Sequence, residues 1–264
     1  MGLIRRIKKK IATKLNEKTF SSYEEALKYC ESKTRGAYQS ENLSEYRFKK
    51  TNNFLINYGN LITAPSMPLL MFALNFYLKK DNLKTPKIID FGGACGESLI
   101  LLQKIFSDKI YKSSWVIESP QIVYESKKWE FAKDIQFSSD LKNIISNNKI
   151  DIFFTSGCIH YLKKPYEVIN IIAKSNISLV VFTRNNFSSN TEIKAQISYL
   201  SENGIGPHLD EYEDKLVYYP ITSILPKKII SIFVRNGYSI LVDIKKETEQ
   251  NISGVDGDLI FFKG

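Results

Sequence analysis

The chain has 264 residues, 43% of them apolar, and a formal net charge of +9. That length and apolar share fit one large domain, alone or with a small extension, around a sizeable core. Its three cysteines, Cys30, Cys95 and Cys158, form no C-x-x-C pair and stand beside no histidine cluster, which argues against a disulfide framework or a metal site and for a reducing, cytoplasmic setting.

Residues 1–20 carry seven basic side chains (Arg5, Arg6, Lys8, Lys9, Lys10, Lys14 and Lys18) against one acid, Glu17, so +6 of the +9 sits there. Leu3, Ile4, Ile7, Ile11 and Leu15 recur among those charges at helical spacing, predicting a basic amphipathic helix. Such a helix either rests on an anionic membrane surface, each Lys or Arg contributing about 1 kcal/mol near the headgroups, or packs a thin apolar face on the domain. Peripheral contact of residues 1–18 with the inner membrane surface is therefore one expectation. Charges interrupt any secretory apolar region, and no run approaches the roughly 20 apolar residues of a membrane span. No aromatic–basic interleaving supports a nucleic-acid arm.

Residues 21–84 read as a helical prelude. Ser22, with Glu25 three positions on, forms a capping box for a helix over 23–31. Gly36 breaks a polar stretch over 33–42, and further helices are expected over 46–60 and 68–80. Tyr38 and Tyr58 are candidates to line a lid, though core or surface positions are the commoner use of tyrosine.

The chemistry begins at residue 87. Ile88 and Ile89 make a buried strand that Asp90 closes, and Gly92, Gly93 and Gly96 let the backbone turn sharply and approach a ligand. Apolar residues at helical spacing over 98–106 then place a helix N-terminus after the turn. Strand, glycine turn and helix form the nucleotide-binding half of an α/β sheet. No Gly-Lys-Ser/Thr follows Gly96, so a P-loop fails. The dinucleotide fingerprint fails too, because its later glycine positions hold Ala94 and Glu97. An acid before the turn suits a ligand with an ammonium group, such as the methionine moiety of S-adenosylmethionine.

Downstream, a second strand ends at Glu118, 22 positions after Gly96, the spacing of a carboxylate that accepts from ribose hydroxyls. A third strand over 135–140 ends at Asp140, placed for an adenine amino group. A fourth spans 150–156 and a fifth 178–183, ending at Arg184. An interruption over 185–226 follows, longer than ordinary loops and read as an acceptor-recognition segment or a structural extension. A helix over 227–236, stopped by Gly237, leads to a final strand pair over 238–243 and 257–262.

Ser22-Tyr23-Glu24-Glu25-Ala26, Asp90-Phe91-Gly92-Gly93, Glu118-Ser119-Pro120, Ser156-Gly157-Cys158-Ile159-His160-Tyr161-Leu162, Thr183-Arg184, Gln196 and Tyr219-Pro220 carry a resemblance. Over roughly residues 85–184 the chain resembles the class I S-adenosylmethionine-dependent methyltransferases. More narrowly, it looks like a methyltransferase family of bacterial capsule and lipopolysaccharide gene clusters. It departs at Ala94, where the loop usually has its middle glycine, and at His160, where another polar residue is common. The resemblance implies an α/β, Rossmann-like seven-stranded sheet of order 3-2-1-4-5-7-6, its last inserted strand antiparallel, under an N-terminal helical lid. The organisation expected is a basic segment (1–20), a lid (21–84) and a methyltransferase domain (85–264) with its insertion at 185–226. Cofactor contacts fall on Asp90, Phe91, Gly92, Gly93, Gly96, Glu118, Ser119, Asp140, Leu141, Ser156 and Gly157, with no metal.

A hydroxyl acceptor must lose its proton, so a base near neutral pKa helps. His160, just past the fourth strand, is the first candidate for that base; a hydrogen-bonded helix-start cap is the other reading. Tyr161 and Arg184 are candidates to orient or neutralise an anionic acceptor, and Gln196, His208 and Tyr219 to bind it. No Asp/Asn-Pro-Pro-Tyr signature follows Asp151, which favours an oxygen acceptor. The expectation is O-methylation of a sugar or sugar-linked phosphate-type group in surface-polysaccharide assembly, with a small-molecule or glycan acceptor and no nucleic acid. The alternatives are a cofactor-binding regulatory subunit without turnover, and a nucleic-acid methyltransferase using the basic N-terminus.

Overall fold

Alternating apolar residues on short parallel strands divide the core into two halves. The computed structural model describes residues 18–33, 41–58, 66–81, 84–106, 110–246 and 255–264. The expected amphipathic helix at the N-terminus, Gly36, Tyr38 and the side chain of Tyr58 lie outside the described residues.

The prelude contains β1 (Thr19–Phe20), α1 (Tyr23–Lys33), α2 (Glu41–Tyr58) and α3 (Met67–Lys80). Ser22 Oγ accepts from Glu25 N at 3.2 Å, the expected cap, while Glu25 reaches back one residue further, accepting from Ser21 N at 3.0 Å. Helix α2 begins five residues earlier than the sequence pattern suggested. Its buried stripe runs Leu43, Arg47, Lys50, Phe54, so two cations occupy positions that periodicity assigns to apolar residues.

The main body alternates β2 (Lys87–Phe91), α4 (Glu97–Phe106), β3 (Ser113–Ile117), α5 (Pro120–Ser126), β4 (Gln136–Ser138), α6 (Leu141–Asn147), β5 (Ile152–Ser156), α7 (Pro165–Lys174) and β6 (Leu179–Phe187). After β7 (Ile193–Tyr199) and β8 (Leu216–Thr222) come α8 (Pro226–Arg235), β9 (Ser239–Lys246) and β10 (Val255–Phe262). The seven-stranded sheet has the order β4-β3-β2-β5-β6-β10-β9. Numbered along the chain that is 3-2-1-4-5-7-6, with β10 antiparallel to both of its neighbours, the Rossmann-like arrangement expected. One face of the sheet (Ile88, Val116, Phe154, Val181, Ile260) meets α3, α4 and α5. The other (Ile89, Trp115, Phe153, Phe182, Phe261) meets α6, α7 and α8.

Three differences from the sequence reading bear on the site. The third strand stops at Ser138, and Asp140 instead caps α6, its Oδ1 accepting from Asn143 N at 3.0 Å. Strand β6 does not end at Arg184 but continues to Phe187. It does so through a bulge: Phe182 pairs with Leu259 and Asn185 with Gly257, so two residues on β6 oppose Asp258 alone. Arg184 takes the left-handed φ of 56° there, and its N–H donates to Asp258 Oδ1 at 2.9 Å. Finally, the interruption after β6 contains two strands, β7 and β8, which join β1 in a separate antiparallel sheet of order β1-β7-β8. Helix α1 lies against that sheet with Ala26 and Cys30 buried.

Candidate active site

The strand order reverses between β2 and β5, and open α/β sheets bind ligands in the crevice beyond the carboxyl ends of strands at such a point. Gly92 (φ 71°) and Gly96 (φ 79°) take left-handed conformations in the turn that leaves β2. A Cβ on Gly92 would stand 2.1 Å from Cys158 Sγ, so the turn lies flat against the residues following β5. A Cβ on Gly93 would stand 2.5 Å from Asp90 Cγ. Ala94 also has positive φ, 49°, at a cost of about 1 kcal/mol that glycine would avoid. Its N–H donates to Glu118 Oε1 at 3.2 Å.

Three acids gather around this turn. Asp90 is 1% exposed and its Oδ2 has no hydrogen-bond partner. Burial first, then the nearby Glu97 and Glu118, push its pKa well above the ordinary carboxylate range. Burial also raises Glu97 and Glu118, against the opposing pull of Arg47 and of backbone N–H groups. Glu97 Oε2 accepts from Cys95 N at 3.0 Å, and Glu118 Oε2 from Ser119 N at 2.8 Å. The thiol of Cys158 is likewise pushed up, by burial and then by Glu118 and Asp90. Among the described residues no group of three or more His, Cys, Asp or Glu side chains could hold a metal ion.

Glu97 is the third acid at this turn, in addition to Asp90 and Glu118. Asp140 is exposed and engaged with its own helix, while Leu141 behind it is buried. Phe91 packs on Phe153 at 5.8 Å, and Ser119 precedes α5, which Pro120 starts. Ser156 Oγ is buried without a hydrogen-bond partner, and Gly157 (φ 59°) donates its N–H to Thr183 O at 2.9 Å. Arg47 is the contributor that the sequence reading missed. Its only signal is a cation on the α2 core stripe, where burial needs an anionic neighbour.

On the far side of Gly157–Cys158 the charge reverses. The Arg184 side chain lies over Gly157, whose hypothetical Cβ would be 3.8 Å from the guanidinium carbon. His160 sits in a buried 3-10 turn, Ile159–Tyr161. Its Nδ1 accepts from Asn186 N at 3.3 Å, which places the proton of the neutral ring on Nε2. Burial, and secondarily the charge of Arg184, lower its pKa to about 3. With Nδ1 so engaged, Nε2–H is a donor, as in the hydrogen-bonded reading of this residue.

Tyr161, Gln196 and Tyr219 do come together. Tyr161 donates to Gln196 Oε1 at 2.9 Å, and its ring meets that of Tyr219 edge-on at 5.3 Å. Tyr219 in turn shares a short hydrogen bond with Ser198. Tyr23 from α1 donates to Tyr161 O at 2.7 Å, tying the prelude to this cluster. His208 is placed differently: Nε2 donates to Tyr212 O at 2.9 Å, and Nδ1 accepts from the Tyr46 hydroxyl at 2.9 Å. Both nitrogens are occupied, so it acts as a strut between the 200–212 segment and α2.

No protein-family model and no curated protein matches the chain. Solved structures that it resembles include a S-adenosylmethionine-dependent methyltransferase from Clostridium acetobutylicum, at 12% identity over 81% of this chain and 98% of that one, TM-score 0.49. Another is the magnesium protoporphyrin IX methyltransferase of Synechocystis with bound SAM, at 12% identity over 86% and 99%, TM-score 0.48. A glycopeptide N-methyltransferase complexed with SAM follows at 8% identity over 73% and 87%, TM-score 0.47. Likeness this distant decides nothing about chemistry, which rests on the residues above.

Proposed function

We propose that this protein is an S-adenosylmethionine-dependent methyltransferase acting on oxygen, its acceptor a sugar or sugar-linked phosphate-type group of a bacterial surface polysaccharide. The observation that supports this most is the buried Asp90 carboxylate at the strand-order switch, with Oδ2 unpartnered and two further acids beside it. An ionised carboxylate in that position needs a cation that also donates hydrogen bonds, and the ammonium of a methionine moiety does both. The residues fit the cofactor in this reading. Glu118 would exchange its Ala94 bond for ribose hydroxyls, and Ser119, Asp140 and Leu141 would border the base. When bound, the cofactor supplies an electrophilic methyl group. The chain's own work is to hold the acceptor in line and exclude water. Tyr161 and Gln196 would orient the acceptor, and Arg184 would carry its charge.

Calorimetry with S-adenosylmethionine tests the cofactor half, with Asp90→Ala and Glu118→Ala expected to lose binding. Retained affinity in both variants would refute this site. A second reading, a cofactor-binding regulatory subunit without turnover, is favoured by the lack of a free lone pair on either histidine. A methyl-release assay on glycan fractions separates the two. A methyl group missing from the surface glycans of a deletion strain, read by mass spectrometry, would support the polysaccharide role.

Residues 1–18 would hold the enzyme at the inner membrane surface, among lipid-linked acceptors. Among the described residues no helix is long and apolar enough to cross a membrane. Sedimentation with anionic vesicles, with and without residues 1–18, tests that placement.

A further inference from the structure

The crevice is electrically two-sided about Gly157–Cys158. Asp90, Glu97 and Glu118 lie on the β2 side, while the Arg184 guanidinium and the His160 ring lie on the β6 side, close enough for each to feel the other. The cationic side is built and not incidental. The β6 bulge turns Arg184 to positive φ and ties its N–H to the fully buried Asp258, a strained conformation maintained at the rim of the crevice. His160 Nδ1 is committed to Asn186 N–H, which leaves Nε2–H as the donor of the ring.

Among the described residues, the two histidines and Glu118 are already engaged by N–H or O–H donors. The chain has two histidines, and both Nδ1 lone pairs are taken, one by Asn186 N–H and the other by the Tyr46 hydroxyl. Both oxygens of Glu118 accept from backbone N–H groups, and Asp258 is sealed within the sheet. Arg184 beside Gly157 is a cation and His160 near it a ring donor, a pairing that stabilises negative charge.

We infer that the methylated atom is an oxygen already ionised at neutral pH, a carboxylate or phosphate oxygen of the acceptor, seated between the Arg184 guanidinium and His160 Nε2–H. This rests on the methyltransferase reading and narrows its acceptor class. The oxyanion's electron pair forms the new O–C bond while the S–C bond breaks, its pair returning to sulfur. No proton leaves, and the positive charge on sulfur and one negative charge on oxygen are extinguished together. The absence of a histidine base then carries no penalty.

The test uses the full chain saturated with S-adenosylhomocysteine, whose own binding is measured first. Glucuronate, glucose 6-phosphate and glucose are titrated in at constant ionic strength, and label transfer from tritiated-methyl S-adenosylmethionine follows. The expected result is saturable binding of one of the anionic sugars and none of glucose. Arg184→Gln should weaken it roughly tenfold or more, with S-adenosylhomocysteine affinity retained as the folding control, and Arg184→Lys should keep most of it. Label should appear on the bound anion. Alkali-labile label on glucuronate assigns a carboxylate, and label on the phosphate of glucose 6-phosphate assigns a phosphate. Glucose bound as well as the anions, anion binding indifferent to Arg184→Gln, label on a ring hydroxyl, or no binding or labelling of either anion would overturn the inference. Failure of S-adenosylhomocysteine to bind would instead remove the methyltransferase reading beneath it.

Discussion

Gly93 lies directly over the Asp90 carboxylate: a Cβ there would come within 2.5 Å of Asp90 Cγ and 2.6 Å of Oδ2. The backbone of Gly93 is not in the left-handed region, so alanine strains no dihedral and acts only on the carboxylate. Gly93→Ala should weaken S-adenosylmethionine binding at least roughly tenfold, about 1.4 kcal/mol, by calorimetry. Unchanged affinity would mean that Asp90 does not touch the ligand.

Asp90→Asn separates binding from stability. The buried Oδ2 has no partner, so removing the charge should raise the melting temperature of the ligand-free protein while abolishing cofactor binding. About 2–4 °C is expected per kcal/mol relieved. The pH dependence has a definite sign. The folded pKa lies above the ordinary value, so above about pH 4 the folded chain holds a proton that the unfolded chain has released. Stability contributed by Asp90 is present at low pH and lost as pH rises. The advantage of Asp90→Asn should therefore grow as pH rises above about 4 in thermal melts, and an advantage that shrinks would be inconsistent with burial of the charge.

His160 gives the opposite slope. Its folded pKa is lowered from 6.5 to about 3, so between those values the unfolded chain binds the extra proton and stability falls as pH falls. Denaturant titrations of wild type and His160→Gln at pH 6.5 and 4 should differ in their pH dependence by on the order of 3 kcal/mol. A pH-independent difference would place the ring in contact with solvent. The methylation rate should show no His160 limb near pH 6.5.

Lys50 fastens the 200–206 segment to α2. Its ammonium donates to Ser201 O at 2.6 Å, Asn203 O at 3.0 Å and Gly204 O at 3.2 Å. Lys50→Met would strand three carbonyls, for a loss of about 3 kcal/mol, read by denaturant unfolding. Limited proteolysis should cut within 200–212 faster in the variant. Lys50→Arg should not rescue it, since a planar fork cannot reach three converging acceptors.

The parallel strands and glycine turn were legible because strands buried on both faces read as unbroken apolar runs, as at Ile88-Ile89 and Leu179-Val180-Val181-Phe182. Asp90 and Glu118 followed from their place at strand ends. Strands β7 and β8 went unread inside the long interruption, although Ile193, Ala195 and Ile197 alternate with polar residues in a two-residue period. Their partner β1 is only two residues long, too short for any periodic signal. Arg47 and the hydrogen bonding of His160 were out of reach for a different reason. Both depend on neighbours far away in the chain, Glu97 and Glu118 for one and Asn186 N–H for the other.

The pairing of Thr19 with Lys194 and of Phe20 with Ile193 also dictates an order of assembly. During synthesis, β1 and α1 leave the ribosome long before β7 and β8 exist, so this part of the prelude has no template until the chain has grown past Thr222. Closure of the small sheet is then a late, long-range event, and a ribosome-stalled chain ending before Ile193 would expose the segment around Phe20 to chaperones and proteases.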